Sequence, residues 1–218
     1  MRARSADAWT RERIRAALAV VAITDDVRDG VDGLVERAIA AERGGVTMVQ
    51  VRLKHATSRE LLRVSRSLVG ALRVPVVVND RVDIALLSGA AGAHLGMSDL
   101  PIALARTIVP PSFLLGASLG SADDVPELDS ADYVGVGPVF ATPSKHDAGT
   151  ALGIAGAVEL SRLAARPAVA IGGLDVENAA AVIAAGFDGV SVIRAVLSQP
   201  DPEAAARALS AAVTAGRS

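Results

Sequence analysis

Short runs of apolar, largely β-branched residues recur along the chain at residues 18–24, 47–52, 75–79, 92–95, 113–118, 132–137, 167–172 and 188–193. Between them the apolar positions switch to a helical period, as at residues 31–43, 58–72, 154–165, 176–185 and 202–215. Apolar runs this short and this continuous predict strands buried on both faces, the pattern of a parallel sheet. Thr57 or Ser58 is placed to cap one of the helices and Asp175 another. Each interval leaves room for one crossover helix, so eight such units predict an α/β fold closed into a (β/α)8 TIM barrel rather than an open doubly wound sheet. Residues 1–17 precede the pattern and read as an N-terminal extension, either an extra helix or a frayed end, ahead of a single catalytic barrel over residues 18–218.

Composition narrows the class. A length of 218 residues suits one α/β barrel better than two small domains. Hydrophobic residues make up 51 % of the chain but aromatics only 2 %, so Val, Ile, Leu and Ala must build the core. The absence of cysteine excludes disulfides, thiolate metal sites and a Cys nucleophile, which leaves oxygen or imidazole to hold any metal. A net charge of −2 with interspersed signs lacks the electrostatic footprint of a nucleic-acid binder. No apolar run reaches the ~18 residues needed to span a bilayer, and the polar N-terminus has no secretory signal. The expectation is a cytoplasmic protein with a small-molecule ligand.

Charge and hydroxyls gather where the predicted strands end, and chemistry in such barrels sits at that C-terminal face. In VQVRLK, residues 49–54, the period of two places Gln50, Arg52 and Lys54 on one side of a strand. Arg offers a planar fork and Lys a point charge, both suited to a diphosphate, although a strand end reaching solvent with ordinary cations has the same pattern. In VVVNDRVD, residues 76–83, Asn79 and Asp80 follow a buried strand, and Asp99 follows GAHLG on the next. Two carboxylates from adjacent strands suit Mg²⁺, whose shell is completed by substrate phosphates and water; the competing reading has each aspartate capping the helix after it.

YVGVGPVFATPSK, residues 133–145, ends a β-type run in Gly-Pro and opens into a long loop with Thr142, Ser144 and Lys145. Hydroxyls and an ammonium group there suit a phosphorylated ligand, and a connection of this length tends to be functional. His146 and Asp147 can be read as an acid/base pair or as solvated loop residues, and His94 as a core histidine. AIGGLD and GVSVIRA, residues 170–175 and 189–195, match the phosphate site that barrels build after strands seven and eight, with Gly172 and Gly173 admitting backbone N–H groups to an oxyanion.

Taken in order and spacing, VQVRLK, VNDRVDIAL, GAHLGMSDLP, ADYVGVGPVFATPSK, AIGG and GVSVIRA resemble the thiamine phosphate synthase family over residues 22–197. The resemblance implies a Mg²⁺-dependent transferase that couples hydroxymethylpyrimidine diphosphate to thiazole phosphate, with phosphorylated small molecules as its partners and room for a homo-oligomer. It implies that Gln50, Val51, Arg52, Leu53, Lys54, Asn79, Ser118 and Lys145 bind the pyrimidine diphosphate, with Arg52, Lys54, Ser118 and Lys145 catalytic. Asp80 and Asp99 would hold the metal, and Thr142, Pro143, Ser144, Gly173, Ile193 and Arg194 the thiazole phosphate. Leu53 stands where the family usually has an acidic residue, Met97 where Gln is usual, and Gly120 where His commonly follows the fifth strand. A sister family of thiazole tautomerases resembles the chain less well, because it uses that histidine and tends to lose the two carboxylates. A silent paralogue that binds a thiamine precursor is the reading from a different class.

Overall fold

The computed structural model describes residues 9–25, 27–142 and 150–218. Eight strands form one closed parallel barrel in chain order: β1 (Val20–Ile23), β2 (Met48–Val51), β3 (Val76–Asn79), β4 (Gly92–Leu95), β5 (Leu114–Leu119), β6 (Tyr133–Val136), β7 (Ala168–Ile171) and β8 (Gly189–Val192). Closure is direct, with Val20 paired to Val190 and Ala22 to Val192. All eight sit inside or within one residue of the apolar runs that predict them, because parallel strands buried on both faces carry a continuous apolar signal.

The outer layer consists of α2 (Gly30–Gly44), α3 (Ser58–Ala71), α4 (Val82–Ser88), α5 (Ile102–Ile108), α6 (Gly153–Ala164), α7 (Ala179–Ala184) and α8 (Pro202–Ala215). Thr57 caps α3 in a reciprocal box: its Oγ1 accepts from Glu60 N, and Glu60 Oε2 accepts from Thr57 N at 2.8 Å. Three expectations need correction. Asp175 does not cap α7, which starts later behind Asn178; Asp175 Oδ1 instead accepts from Glu177 N at 2.9 Å in a local turn. Neither Asp80 nor Asp99 caps a helix, since α4 and α5 begin behind Arg81 and Pro101 with no side-chain cap. The crossover between β5 and β6 is a 3-10 turn, Ala122–Glu127, with a proline inside it.

Before the barrel, α1 (Arg11–Leu18) lies against its N-terminal mouth. Ile14, Ala17 and Leu18 are buried there in one cluster with Val21, Met48, Val77, Leu114, Tyr133 and Val169 from the barrel strands. Thr47 ties the join, donating to Ala17 O at 2.9 Å while accepting from Val20 N at 2.8 Å. One mouth is thereby filled with side chains, and the opposite one is left for ligand. No helix among the described residues is long and apolar enough to cross a membrane.

Candidate functional site

The carboxyl ends of the strands open into a cavity of about 970 Å³. The side chains come from separate strands, so each is fixed by the barrel rather than by its neighbours in sequence. Gln50 and Arg52 are buried at the end of β2, and Lys54 reaches the same cavity from the loop after them. The Thr24 hydroxyl, after β1, accepts from Arg52 N at 2.8 Å and donates to Arg52 O at 3.1 Å. The backbone at Arg52 is thus clamped while the guanidinium projects inward. Asp25 Oδ1 stands 3.7 Å from Arg52 Nη1, which is buried with no hydrogen-bond partner among the described residues. A guanidinium with one buried nitrogen left without a hydrogen bond, beside a cavity, suits an anionic ligand.

Asn79 and Asp80 follow β3. Asp80 adopts φ 63°, and its N–H donates to His94 O at 2.8 Å, which turns the chain sharply at the rim. Asp99 is anchored by Gly96, whose N–H donates to Asp99 Oδ2 at 2.7 Å. The two carboxyl groups are close enough to share a hydrogen bond, and Asp80 is pushed up to about 6, chiefly by burial, then by Asp99, with the Arg52 charge pulling the other way. With Asn79 beside them they form an oxygen-donor corner of the sort a hard divalent cation takes. No third His, Cys, Asp or Glu joins such a group among the described residues.

On the far side, Gly172 and Gly173 take φ 98° and 66° after β7. A Cβ on Gly172 would stand 2.7 Å from Pro138, and one on Gly173 2.7 Å from the Phe140 side chain, so only glycine lets this loop lie against the one after β6. Phe140 N donates to Gly172 O at 3.0 Å, and Asn178 Nδ2 to Gly173 O at 2.9 Å. Thr142, Gly173, Ile193 and Arg194 face the same end of the cavity, with Gln199 Nε2 donating to Arg194 O at 3.0 Å.

The barrel therefore brings Gln50, Arg52, Leu53, Lys54, Asn79, Asp80, Asp99, Ser118, Thr142, Gly173, Ile193 and Arg194 around one space. Val51 is placed differently: it points into the core between strands and helices, fully buried. Met97 is exposed outside the cavity wall, and Gly120, whose N–H donates to Asp124 Oδ2 at 2.9 Å, is also off it. Pro143, Ser144, Lys145, His146 and Asp147 lie outside the described residues. Sequence reasoning left out three polar groups lining the floor, His94, Tyr133 and Ser191. For Ser191 the period of two held a signal, since it shares its strand face with Ile193, whereas His94 and Tyr133 have glycines at those positions and read as core.

A closed parallel barrel with cations, an acidic corner and a glycine pair around one mouth defines a (β/α)8-barrel enzyme whose site is built for anionic ligands. A family model described as thiamine monophosphate synthase matches residues 20–196. The chain is 42 % identical over 205 residues to the thiamine-phosphate synthase of Azorhizobium caulinodans, covering 92 % of this chain and 97 % of that one. It is 46 % identical over 189 residues to that of Moorella thermoacetica, covering 84 % and 89 %. Among solved structures, thiamine phosphate pyrophosphorylase from Pyrococcus furiosus superposes with a TM-score of 0.82 at 33 % identity, over 94 % of this chain and all of that one. A 3-hexulose-6-phosphate synthase shares the fold, with a TM-score of 0.69 at 20 % identity over 89 % of this chain and 99 % of that one. The chain belongs to the thiamine monophosphate synthase family.

Proposed function

We propose that this barrel condenses hydroxymethylpyrimidine diphosphate with thiazole phosphate, releasing pyrophosphate, as a cytoplasmic step of thiamine biosynthesis. The observation that carries the reading is the facing of Arg52 and the Asp80–Asp99 corner across one cavity from Gly173, Ile193 and Arg194. Two phosphorylated reactants need two anion sites, a need that Arg52 on one side of the mouth and Gly173 with Arg194 on the other would meet.

In the reaction the methylene C–O bond breaks, its electron pair leaves with pyrophosphate, and the thiazole nitrogen forms the new C–N bond to the same carbon. The aminopyrimidine stabilises positive charge on that carbon, so no protein nucleophile is required. Arg52 and Lys54, with Lys145 from the loop after β6, neutralise charge growing on the leaving group. Gln50, Asn79 and Ser118 orient the pyrimidine, while Thr142, Ser144, Gly173, Ile193 and Arg194 hold the thiazole phosphate and set the line of attack. The Asp80–Asp99 corner fits Mg²⁺, because two neighbouring carboxylates at the cavity offer the hard oxygen donors that such a cation takes, and they would hold it there. Bound there, Mg²⁺ would supply positive charge to the diphosphate oxygens.

The test is a coupled assay of thiamine phosphate and pyrophosphate formation with both substrates, with and without chelator. Equimolar products that vanish with chelator are expected. Tautomerisation of a carboxylated thiazole phosphate without pyrophosphate release would move the protein to the sister activity. Lys145→Ala should lower kcat more than it raises the thiazole phosphate KM, and a change confined to that KM would reassign the lysine.

A further inference from the structure

Beneath the cations and carboxylates, three side chains from three consecutive strands make a chain of hydrogen bonds across the barrel interior. Tyr133, at the start of β6, crosses in front of Gly116 of β5, where a Cβ would stand 2.2 Å from the phenol ring. It thereby reaches past β5 to His94 of β4, with its hydroxyl 3.2 Å from His94 Nδ1. The other ring nitrogen, His94 Nε2, lies 3.2 Å from Ser118 Oγ. All three residues line the cavity floor.

Proton counting gives these bonds a direction. Tyr133 is buried, and its bond to His94 is the one hydrogen bond its hydroxyl makes among the described residues. A buried phenol proton without an acceptor is costly, so Tyr133 donates and His94 Nδ1 accepts. The neutral imidazole then carries its proton on Nε2, which donates to Ser118 Oγ. Burial, then the Asp132 charge, pushes the phenol upward, so it keeps its proton as this requires. Ser118 Oγ, already accepting from the ring, has no acceptor for its own proton among the described residues, which leaves that proton aimed at the cavity.

We infer that Tyr133 and His94 are positioning residues that fix the Ser118 hydroxyl as a donor into the cavity, so that the ligand edge seated there must present a hydrogen-bond acceptor. The inference rests on the proposed reaction for its choice of ligand. An aminopyrimidine has acceptor ring nitrogens and a donor amino group, and this chain of bonds selects a ring nitrogen for Ser118. With the ring fixed about that contact, the methylene carbon has one direction in which to face the second reactant.

Tyr133→Phe keeps the packing and removes the proton that sets the direction. It should lower kcat/KM for the diphosphate substrate about tenfold, the scale of one misdirected hydrogen bond, and leave the thiazole phosphate KM unchanged. His94→Gln, which can restore a donor to Ser118, should stay within about threefold of wild type, whereas His94→Leu should fall at least about tenfold. In a Ser118→Ala background the Tyr133→Phe penalty should shrink below about twofold, which a merely structural tyrosine would not show. Nitrogen-15 spectra of the ring, in a chain with 3 histidines, should show His94 protonated at Nε2 in wild type and as a mixture of tautomers in Tyr133→Phe. An Nδ1-protonated ring in wild type, or a Tyr133→Phe penalty undiminished without the Ser118 hydroxyl, would overturn the inference. If the wild-type protein forms no thiamine phosphate, the proposed reaction fails, while the ring spectra still decide the direction of the hydrogen bonds.

Discussion

Burial first, and the facing Asp99 second, push Asp80 up to about 6 from its ordinary 3.8, which makes the metal-free site sensitive to pH. The folded state holds this proton more tightly than the unfolded one. The stability it contributes is therefore full below pH 3.8 and is lost as pH rises through about 6. Asp80→Asn removes that loss. Discounted for solvent screening at the rim, it should raise the melting temperature of metal-free protein at pH 8 by about 2–4 °C and give no gain at pH 3.5. Equal gains at both pH values, followed by calorimetry, would show that the carboxyl charge is not the cause. The same substitution, or Asp99→Asn, should weaken Mg²⁺ binding measured by titration calorimetry, since it removes one of two charged oxygen donors. Arg52→Lys keeps a charge but loses the planar fork that projects from the Thr24 clamp. Its kcat/KM for pyrophosphate release should drop about 10²- to 10³-fold, as for a lost donor to developing charge, and a drop under about fivefold would mean the fork geometry is dispensable.

The loop after β7 meets the loop after β6 through absent side chains. Gly173→Ala adds a Cβ 2.7 Å from the Phe140 side chain at a φ of 66°. Strain and the displaced loop should raise the thiazole phosphate KM about tenfold or more, with a smaller effect on the diphosphate substrate. Steady-state kinetics with each substrate varied in turn would decide it, since an equal rise in both constants would point to general unfolding. At this scale the sequence was most readable where one force dominates. The β3 run VVVN and its seven counterparts are largely apolar on both faces because both faces are covered, and isolated polar residues such as Gln50, His94 and Ser191 do not break the signal. The start of α7 was misplaced because Asp175, a good cap by type, bonds locally to Glu177 and delays the helix. The interval before β6 has ample length for a helix, but Pro126 and a capping box hold it in a 3-10 turn.

Over the whole molecule, the rule that barrels place their chemistry at the C-terminal mouth let the gathering of Arg52, Asp80, Asp99 and Ser118 around one cavity be read before any coordinates. His94 was not legible in the same way. A polar residue in a buried strand reads as core until its neighbours are known, and its partnership with Tyr133 depends on the space at Gly116, on the strand that lies between theirs. Val51 shows the converse, where a stretch of sequence lining the cavity includes one residue turned to the opposite face. The sealed mouth is a matter of stability rather than chemistry. Leu18→Ala, at a fully buried position between α1 and the barrel interior, should cost about 2–5 kcal/mol in chemical denaturation while both KM values hold below the transition. A rise in KM alongside would connect the plug to the site.

Asp188, at the threshold of β8, is gripped by both extremities of the described chain. Its Oδ1 lies 3.1 Å from Arg15 Nε of α1, and its carbonyl accepts from Arg217 Nη2 at 2.9 Å just beyond α8. Since β1 also pairs with β8, the architecture is a ring whose cut happens to fall at one seam, on the side away from the ligand mouth. A short peptide joining the two extremities, with new ones opened between α3 and β3, would give a reordered gene whose product keeps every strand pairing. What the ring demands is the cyclic succession of its units, and any of them could be translated first.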